Sequence, residues 1–270
     1  MTMGVTYAVT TLLDVNAVQD VNYRAESRTY IVADRDTGKA VIIDAIIENV
    51  DRDLKFVKEL DLTLAFAVET HIHADHITGA SMIKDLTGAH IVYGGGVVGI
   101  VSGADIFLHD GQELRFGKTA MRALATLGHT DSCTSYVLPG AVFTGDCLLI
   151  RGNGRTDFQD GSAEKLFDSV RTKLFALPDE TIVYPGHDYT GRVSSTIREE
   201  KKFNERLNLG VDKHTFVAIM NGRKITRPAK MDIALPANMN AGRMILDEQR
   251  SNRRNMASSS QTSVIESFDS

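Results

Sequence analysis

Residues 70–76 of this 270-residue chain read THIHADH, and one glutamate separates them from the apolar run LTLAFAV at 62–68. The apolar run has the length and composition of a buried β-strand, so the histidines stand where a strand ends. In an extended segment His71 and His73 point to the same side, where both could reach one ion. Imidazole and carboxylate groups bind zinc, iron and nickel, so this segment predicts a metal site.

Further candidate ligands follow later predicted strands, each beside a glycine. His129 lies in LGHT, Asp146 in TGD and His187 in PGH. Glycine allows the backbone to turn sharply, and loops held at strand ends are common places for functional sites. Five of the eight histidines therefore stand at strand-end turns beside carboxylates, which favours one shared site over isolated surface histidines.

Strand and helix patterns alternate along the chain. We predict strands at 29–34, 40–45, 62–68, 90–93, 113–116, 121–126, 135–138, 141–144 and 181–184, and helices at 51–60, 77–86, 162–177 and 193–207. This order favours an α/β (α+β) fold in which helices flank two mixed β-sheets. We expect one catalytic domain over residues 1–245. The remainder, 246–270, is rich in Ser, Asn and Arg and is predicted to be a disordered tail.

The amino-acid composition limits the kinds of binding partner that the protein is expected to have. The net charge is -5 and no Lys/Arg run exceeds two residues, which argues against a nucleic-acid surface. Two cysteines, Cys133 and Cys147, make no disulfide framework and favour a reducing compartment. No signal peptide is evident, and no apolar run reaches the roughly 18 residues of a membrane helix. We expect a cytoplasmic protein that binds neither nucleic acid nor membrane.

The HxHxDH segment and the three glycine-flanked ligands have the order and spacing of the metallo-β-lactamase superfamily. The chain resembles that superfamily from about Tyr7 to Gly242. The resemblance implies an αββα sandwich with metal in the cleft between the sheets. Two further segments, LLIRGNGRTDFQ at 148–159 and MDIALPAN at 231–238, resemble the persulfide dioxygenases, the ethylmalonic encephalopathy protein-like family.

That closer resemblance implies one Fe(II) per chain, held by His71, His129 and Asp146 with positions open for substrate and O2. The implied reaction, a step of sulfide metabolism, converts glutathione persulfide, O2 and water into glutathione and sulfite. Groups that would orient the ligands from behind are His73, Asp75, His76 and His187. Family candidates for contact with the substrate are Arg155 and Tyr189, with Arg151 and Arg192 as further cations for the glutathione carboxylates.

The chain departs from the family pattern at two places. Leu127 stands where proline usually precedes Gly-His-Thr, and Asn153 stands where some members carry cysteine. Neither change removes a ligand, although Leu127 could loosen the turn that aims His129. Cys147, next to a ligand, is interpreted as a small buried apolar residue rather than a catalytic one.

Two alternatives stay open at this stage. The first is a two-zinc thioester hydrolase like glyoxalase II, in which Asp146 bridges both ions and a hydroxide attacks the substrate. One ion would then be held by His71, His73 and His129, and the other by Asp75, His76 and His187. The second is a non-enzymatic sulfide or metal sensor. The sequence contains no DNA-binding segment that would support this alternative. The thiol carrier and a homodimeric state also stay open.

Overall fold

Two mixed β-sheets lie face to face between layers of helices. The computed structural model describes residues 6–15 and 26–244, so the predicted tail at 246–270 lies outside the described residues. In chain order the strands are β1 (Tyr7–Val15), β2 (Glu26–Asp34), β3 (Lys39–Ile43), β4 (Thr63–Val68), β5 (His90–Gly94), β6 (Ile106–Leu108), β7 (Glu113–Phe116), β8 (Thr119–Ala125), β9 (Thr134–Leu138), β10 (Ala141–Gly145), β11 (Ile182–Pro185), β12 (His187–Asp188) and β13 (Ser195–Thr196). The helices are α1 (Val50–Glu59), α2 (Ala80–Thr87), α3 (Ala163–Ser169), α4 (Ile197–Phe203), α5 (Lys213–Asn221) and α6 (Met231–Asn238).

Strand order brings the predicted ligand loops to one place. The first sheet has the order β1-β2-β3-β4-β5-β6, with β12 paired to β2, and strands β3 to β6 run parallel. The second sheet has the order β13-β11-β10-β9-β8-β7, and β10 is parallel to β11. Because parallel strands end at the same edge, the loops after β10 and β11 meet each other. The β12–β2 pairing then joins this edge to the first sheet.

The core lies in three layers, as an αββα sandwich requires. Alternation along β2 turns Tyr30 and Val32 toward the second sheet and Ile31 toward the helices. Between the sheets, the Tyr30 ring meets the Phe143 ring edge-on at 5.1 Å. The outer layers are α1 and α2 on the first sheet, and α3 and α5 on the second. No helix in the described ranges is both long and apolar enough to cross a membrane.

Most predicted elements are confirmed, with local differences in extent. The predicted start of α3 and the predicted end of α2 are confirmed. Ser162 caps α3 by accepting a hydrogen bond from the Lys165 amide, and Gly88 ends α2 at φ 77°. The helix predicted at 162–177 changes after Ser169 into a π-helical turn over Val170–Leu174.

The helix predicted at 193–207 is wrong in extent, since α4 covers Ile197–Phe203 alone. Ser195 instead pairs with Val183 in a strand, and Thr196 caps the helix through the Glu199 amide. Asn204 leaves the helix with an extended backbone. The charged pattern beyond these limits therefore belongs to a strand and a loop.

Asp34 ties the two sheets together and gives a stability prediction. Its carboxylate accepts hydrogen bonds from the amide and hydroxyl of Thr37, the Lys118 amide and the Thr119 hydroxyl. Burial opposes ionisation, but these bonds outweigh it and lower the pKa of Asp34 from 3.8 to about 2. A lowered pKa stabilises the folded state above pH 3.8, and this contribution is lost as the pH falls toward 2.

We therefore expect Asp34→Ala to reduce the free energy of unfolding by roughly 1.5–3 kcal/mol at neutral pH. The loss should shrink in acid, because the wild-type carboxyl becomes protonated there. Urea denaturation at several pH values measures both effects. The control is Asp36→Ala, which removes an exposed ion pair with Lys118 and should change stability by less than about 1 kcal/mol. Equal effects of the two substitutions would contradict the assignment.

Candidate metal centre

Three potential ligands from different loops converge between the sheets. The nearest donor atoms of His71, His129 and Asp146 lie within 4.8 Å of one another. The His129 Nε2 atom is 3.6 Å from the Asp146 Oδ2 atom, and the rings of His71 and His129 stand almost perpendicular at 4.9 Å. His71 and Asp146 are buried. The structure thus brings together the three residues that the resemblance implied as iron ligands.

The imidazole of His71 is fixed from behind by a chain of hydrogen bonds. The Thr70 hydroxyl lies 2.7 Å from an Asp44 carboxylate oxygen and 2.9 Å from His71 Nδ1. Because the hydroxyl donates its single proton to Asp44, it accepts the Nδ1 proton of His71. The lone pair on Nε2 then faces the other ligands. Burial, with His73 and His129 nearby, holds the pKa of His71 well below its usual value, so the ring is neutral as a ligand must be.

His129 is oriented in the same way by a backbone group. Its Nδ1 donates to the Arg155 carbonyl at 2.7 Å, which leaves Nε2 toward Asp146. This contact depends on Gly154. A Cβ there would lie 2.5 Å from the Asp146 carbonyl oxygen and 2.8 Å from His129 Nδ1. The glycine-rich sequence after Asp146 therefore allows the loop to pass directly behind two candidate ligands.

Asp146 is held by His187 and, through it, by Asp75. The Asp146 Oδ1 atom is 2.8 Å from His187 Nδ1, and His187 Nε2 is 3.2 Å from Asp75 Oδ2 and 3.1 Å from the Ser27 hydroxyl. Burial disfavours charge on His187, but the two carboxylates outweigh burial and raise its pKa well above the usual value. His187 in turn holds the pKa of the buried Asp146 below its usual range. Asp146 is therefore ionised, with Oδ2 directed at the histidines.

His73 faces a second set of carboxylates. Its ring lies 4.1 Å from the His71 ring, as expected for alternate residues of an extended segment. Its Nε2 is 3.2 Å from Asp44 and 3.3 Å from Glu69, whereas Nδ1 has no hydrogen-bond partner among the described residues. Two further groups of possible ligands share His73: one with Asp75 and His76, and one with Asp44 and Glu69.

Tyr189 is the substrate candidate that lies beside the centre. Its ring stacks on the His187 ring at 6.3 Å with an angle of 12° between the planes. The side chain is 52% exposed, so it can meet a molecule arriving from solvent. Arg192, four residues from Asp188, is exposed on the following loop. The roles of both residues in substrate binding stay predictions.

Arg155 and Arg151 are engaged by the protein itself. The Arg155 guanidinium makes two 2.7 Å bonds to Asp157 and further bonds to the carbonyls of 225 and 226. Arg151 pairs with Glu199 and Glu200 at the start of α4. A contact of either guanidinium with a substrate carboxylate stays a prediction, and it would require these ion pairs to open. The sequence pattern gave no sign of the Arg151 pairs, because Glu199 and Glu200 are 48 and 49 residues away.

The structure explains the two cysteines and the two departures from the family pattern, Asn153 and Leu127. Burial raises the pKa of both cysteines, that of Cys133 to about 12, so both stay protonated thiols in the core. Asn153 is buried and accepts a hydrogen bond from Arg206 Nε at 2.8 Å. The carbonyl of Leu127 accepts from the Ser169 hydroxyl at 2.7 Å, which anchors the turn before His129 without proline.

Sequence reasoning missed the residues that hold the ligands from behind, above all Asp44, Thr70 and Ser27. Asp44 carried a usable signal, since it too is a carboxylate at the end of a strand, and it adopts a left-handed backbone at φ 54°. Thr70 is the first residue of the segment THIHADH and lies next to the candidate ligand His71.

Comparison with known proteins agrees with this geometry. The model of the metallo-β-lactamase superfamily matches residues 24–187. A metallo-β-lactamase structure from Staphylococcus aureus aligns with a TM-score of 0.76 at 23% identity, covering 88% of this chain and 73% of that one, which shows the shared fold. Fold and site together define a metalloprotein of the metallo-β-lactamase type, and the predicted sandwich is confirmed.

Two relatives show which family within the metallo-β-lactamase superfamily this chain resembles. Persulfide dioxygenase ETHE1 of Homo sapiens is 44% identical over 219 residues, which cover 79% of this chain and 84% of that protein. The crystal structure of ETHE1 from Myxococcus xanthus aligns with a TM-score of 0.78 at 45% identity, covering 86% of this chain and all of that one. The chain belongs to the persulfide dioxygenase family of the metallo-β-lactamase superfamily.

Proposed function

We propose that the chain is a persulfide dioxygenase that oxidises glutathione persulfide with O2 to glutathione and sulfite. The observation that carries the proposal is the convergence of His71, His129 and Asp146, each fixed on its far side by a protein group. The names of the relatives at 44–45% identity support the reaction. The S–S bond of the persulfide breaks, and the terminal sulfur is oxidised by O2, with water supplying the third oxygen of sulfite.

The donor set fits Fe(II). Two imidazoles and one carboxylate form the 2-His-1-carboxylate arrangement, which leaves positions open for ligands from solution. Bound iron would supply electron transfer to O2 and a binding position for the persulfide sulfur. We propose His71, His129 and Asp146 as its ligands.

The other residues would keep that set rigid. The Thr70 hydroxyl and the Arg155 carbonyl fix the tautomers of His71 and His129, so both present Nε2. His187 would prevent the Asp146 carboxylate from rotating. Its protonated ring would lie between the carboxylates of Asp146 and Asp75. Tyr189, stacked on His187 and half exposed, would border the path by which the persulfide enters.

A two-metal hydrolase is the second candidate, and one observation favours it: His73, Asp75 and His76 also form a group of possible ligands. Against it stands His187, which belongs to no such group among the described residues, because its Nδ1 is bonded to Asp146 and its Nε2 to Asp75.

Metal content and reaction together test the proposal. We expect protein purified without air to hold about one iron per chain, the count a single 2-His-1-carboxylate site implies. It should consume O2 and release sulfite with glutathione persulfide, and it should hydrolyse S-lactoylglutathione poorly. Coenzyme A persulfide in the same assay would compare thiol carriers. Two zinc ions per chain with efficient thioester hydrolysis would replace this proposal with the hydrolase.

A further inference from the structure

The last residue of α6, Asn238, is bonded to the loop that carries the HxHxDH histidines. Its Nδ2 donates to the carbonyls of His73 and His76, both at 2.8 Å, and its Oδ1 accepts the Thr78 amide at 2.9 Å. The residue is 1% exposed. Both amide protons and the amide oxygen are therefore used, on backbone groups about 160 residues away in sequence.

The loop needs such a partner because it has little regular structure of its own. Between the end of β4 and the start of α2 the backbone forms bends and one isolated bridge, Ile46 with Thr78. Buried backbone groups without hydrogen bonds are costly, so a fixed loop conformation requires partners from elsewhere. Asn238 supplies three of them, and Gln159 supplies a fourth by donating to the Ile72 carbonyl at 2.8 Å.

Asn238 is itself held firmly. Ala234 and Ala237 of α6 pack against Ile77 in a small apolar cluster. Beyond the helix, the Gly242 amide returns to the Ala237 carbonyl at 2.8 Å, and a Cβ on Gly242 would lie 2.2 Å from the Thr78 carbonyl oxygen. This close approach presses the end of α6 onto the loop.

The loop links Asn238 to the metal centre through Asp75. The Asp75 carboxylate lies within the stretch that Asn238 bonds on both sides, and it accepts from His187, which holds Asp146. We propose that Asn238 is a positioning residue of the metal centre: by fixing the backbone of 73–78 it sets Asp75, and through His187 the rotation of Asp146. This inference rests on the proposed metal centre but not on iron as its metal.

The test is Asn238→Asp, which keeps the size and the acceptor for the Thr78 amide but turns an oxygen toward the carbonyls of His73 and His76. We expect metal affinity to fall about 10–100-fold, as for other groups that orient ligands. Competition with a chelator, done separately for Fe(II) and Zn(II), measures it on folded protein. The kcat for glutathione persulfide should fall while KM changes less than about twofold, because no substrate contact is removed.

Matched variants separate positioning from general stability. Asn240→Ala removes an amide from the same segment, where it accepts from the Ser102 hydroxyl at 2.8 Å, and should leave metal affinity unchanged. Asn238→Gln keeps both donors on a longer arm and should recover part of the lost affinity. Thermal unfolding of the metal-free proteins shows how much of each effect is stability alone.

The outcomes divide cleanly. Asn238→Asp protein that is folded at the assay temperature and binds both metals within about threefold of wild type overturns the inference. So does a lowered Tm of the metal-free protein with unchanged affinity. If Asn238→Asp does not fold, Asn238→Gln still decides, because its metal affinity should lie below that of wild type. If wild type prefers zinc and hydrolyses thioesters, the proposed function fails, yet a loss of Zn(II) affinity in Asn238→Asp still supports positioning.

Discussion

His129→Ala will abolish iron binding in protein that remains folded. The imidazole supplies one of three proposed protein ligands, and its Nε2 lies 3.6 Å from the Asp146 carboxylate across the centre. A three-ligand site reduced to one histidine and one carboxylate cannot compete with water for Fe(II) at micromolar metal. We expect iron content near background and loss of persulfide-dependent O2 uptake far beyond the roughly 10–100-fold that follows removal of a supporting group.

Iron analysis and an oxygen electrode measure the two effects, and circular dichroism verifies folding. His214→Ala is the matched control, because this histidine is exposed on α5 and belongs to no group of possible ligands among the described residues. It should retain full iron and activity. Normal iron content in His129→Ala would mean that the three converging residues are not the ligand set.

Much of the fold was readable from the sequence because its signals are local. The apolar run before residue 70 predicts β4, and the hairpin of β2 and β3 follows from strand patterns around a turn. The ligands were readable because glycine-flanked polar residues at strand ends combine two local features. Gly145, at φ 50°, shows the reason: a Cβ there would lie 2.6 Å from the Thr70 hydroxyl.

What the sequence did not show depends on distant partners. The strand β1 and the helices α5 and α6 were not predicted. The strand β1 is defined by its pairing with β2, and the two helices have short apolar faces that become evident only in the packed structure. In the sequence, Arg151 is a candidate to bind a substrate carboxylate. In the structure, it forms ion pairs with Glu199 and Glu200. Asn238 is ordinary in sequence, and its role is visible only where α6 meets the metal loop.

The hydrogen-bond chain behind the ligands has the same origin. Thr70 joins Asp44 to His71, and Asp44 comes from a strand 26 residues earlier. Such a chain is set by the alignment of β3 with β4, in which Ile43 pairs with Val68. Residues that end neighbouring parallel strands are therefore brought together, which is the physical rule that would have found Asp44.

His187→Ala will keep most of its iron at saturating Fe(II) while its affinity falls about 10–100-fold, because in the proposed single-metal centre the histidine supports Asp146 rather than binding metal. Its Nδ1 bonds Asp146 at 2.8 Å and its Nε2 bonds Asp75 at 3.2 Å, as expected for a group that orients a ligand from behind. Without it, the Asp146 carboxylate loses the group that fixes Oδ1 and rotates more freely. Some sulfite-forming O2 uptake should remain, in contrast to His129→Ala.

The two-metal alternative predicts a different result from the same protein. There His187 and Asp75 bind the second ion, so His187→Ala or Asp75→Ala would lower the metal count from about two to about one and stop hydrolysis. Metal counts of wild type and variants, with O2 uptake on glutathione persulfide and hydrolysis of S-lactoylglutathione measured side by side, separate the cases. A half-loaded His187→Ala protein, together with efficient thioester cleavage by wild type, would show that His187 is a ligand and the enzyme a hydrolase. A fully loaded variant with weakened affinity would instead place His187 behind a single ion, where its two carboxylate partners already hold it.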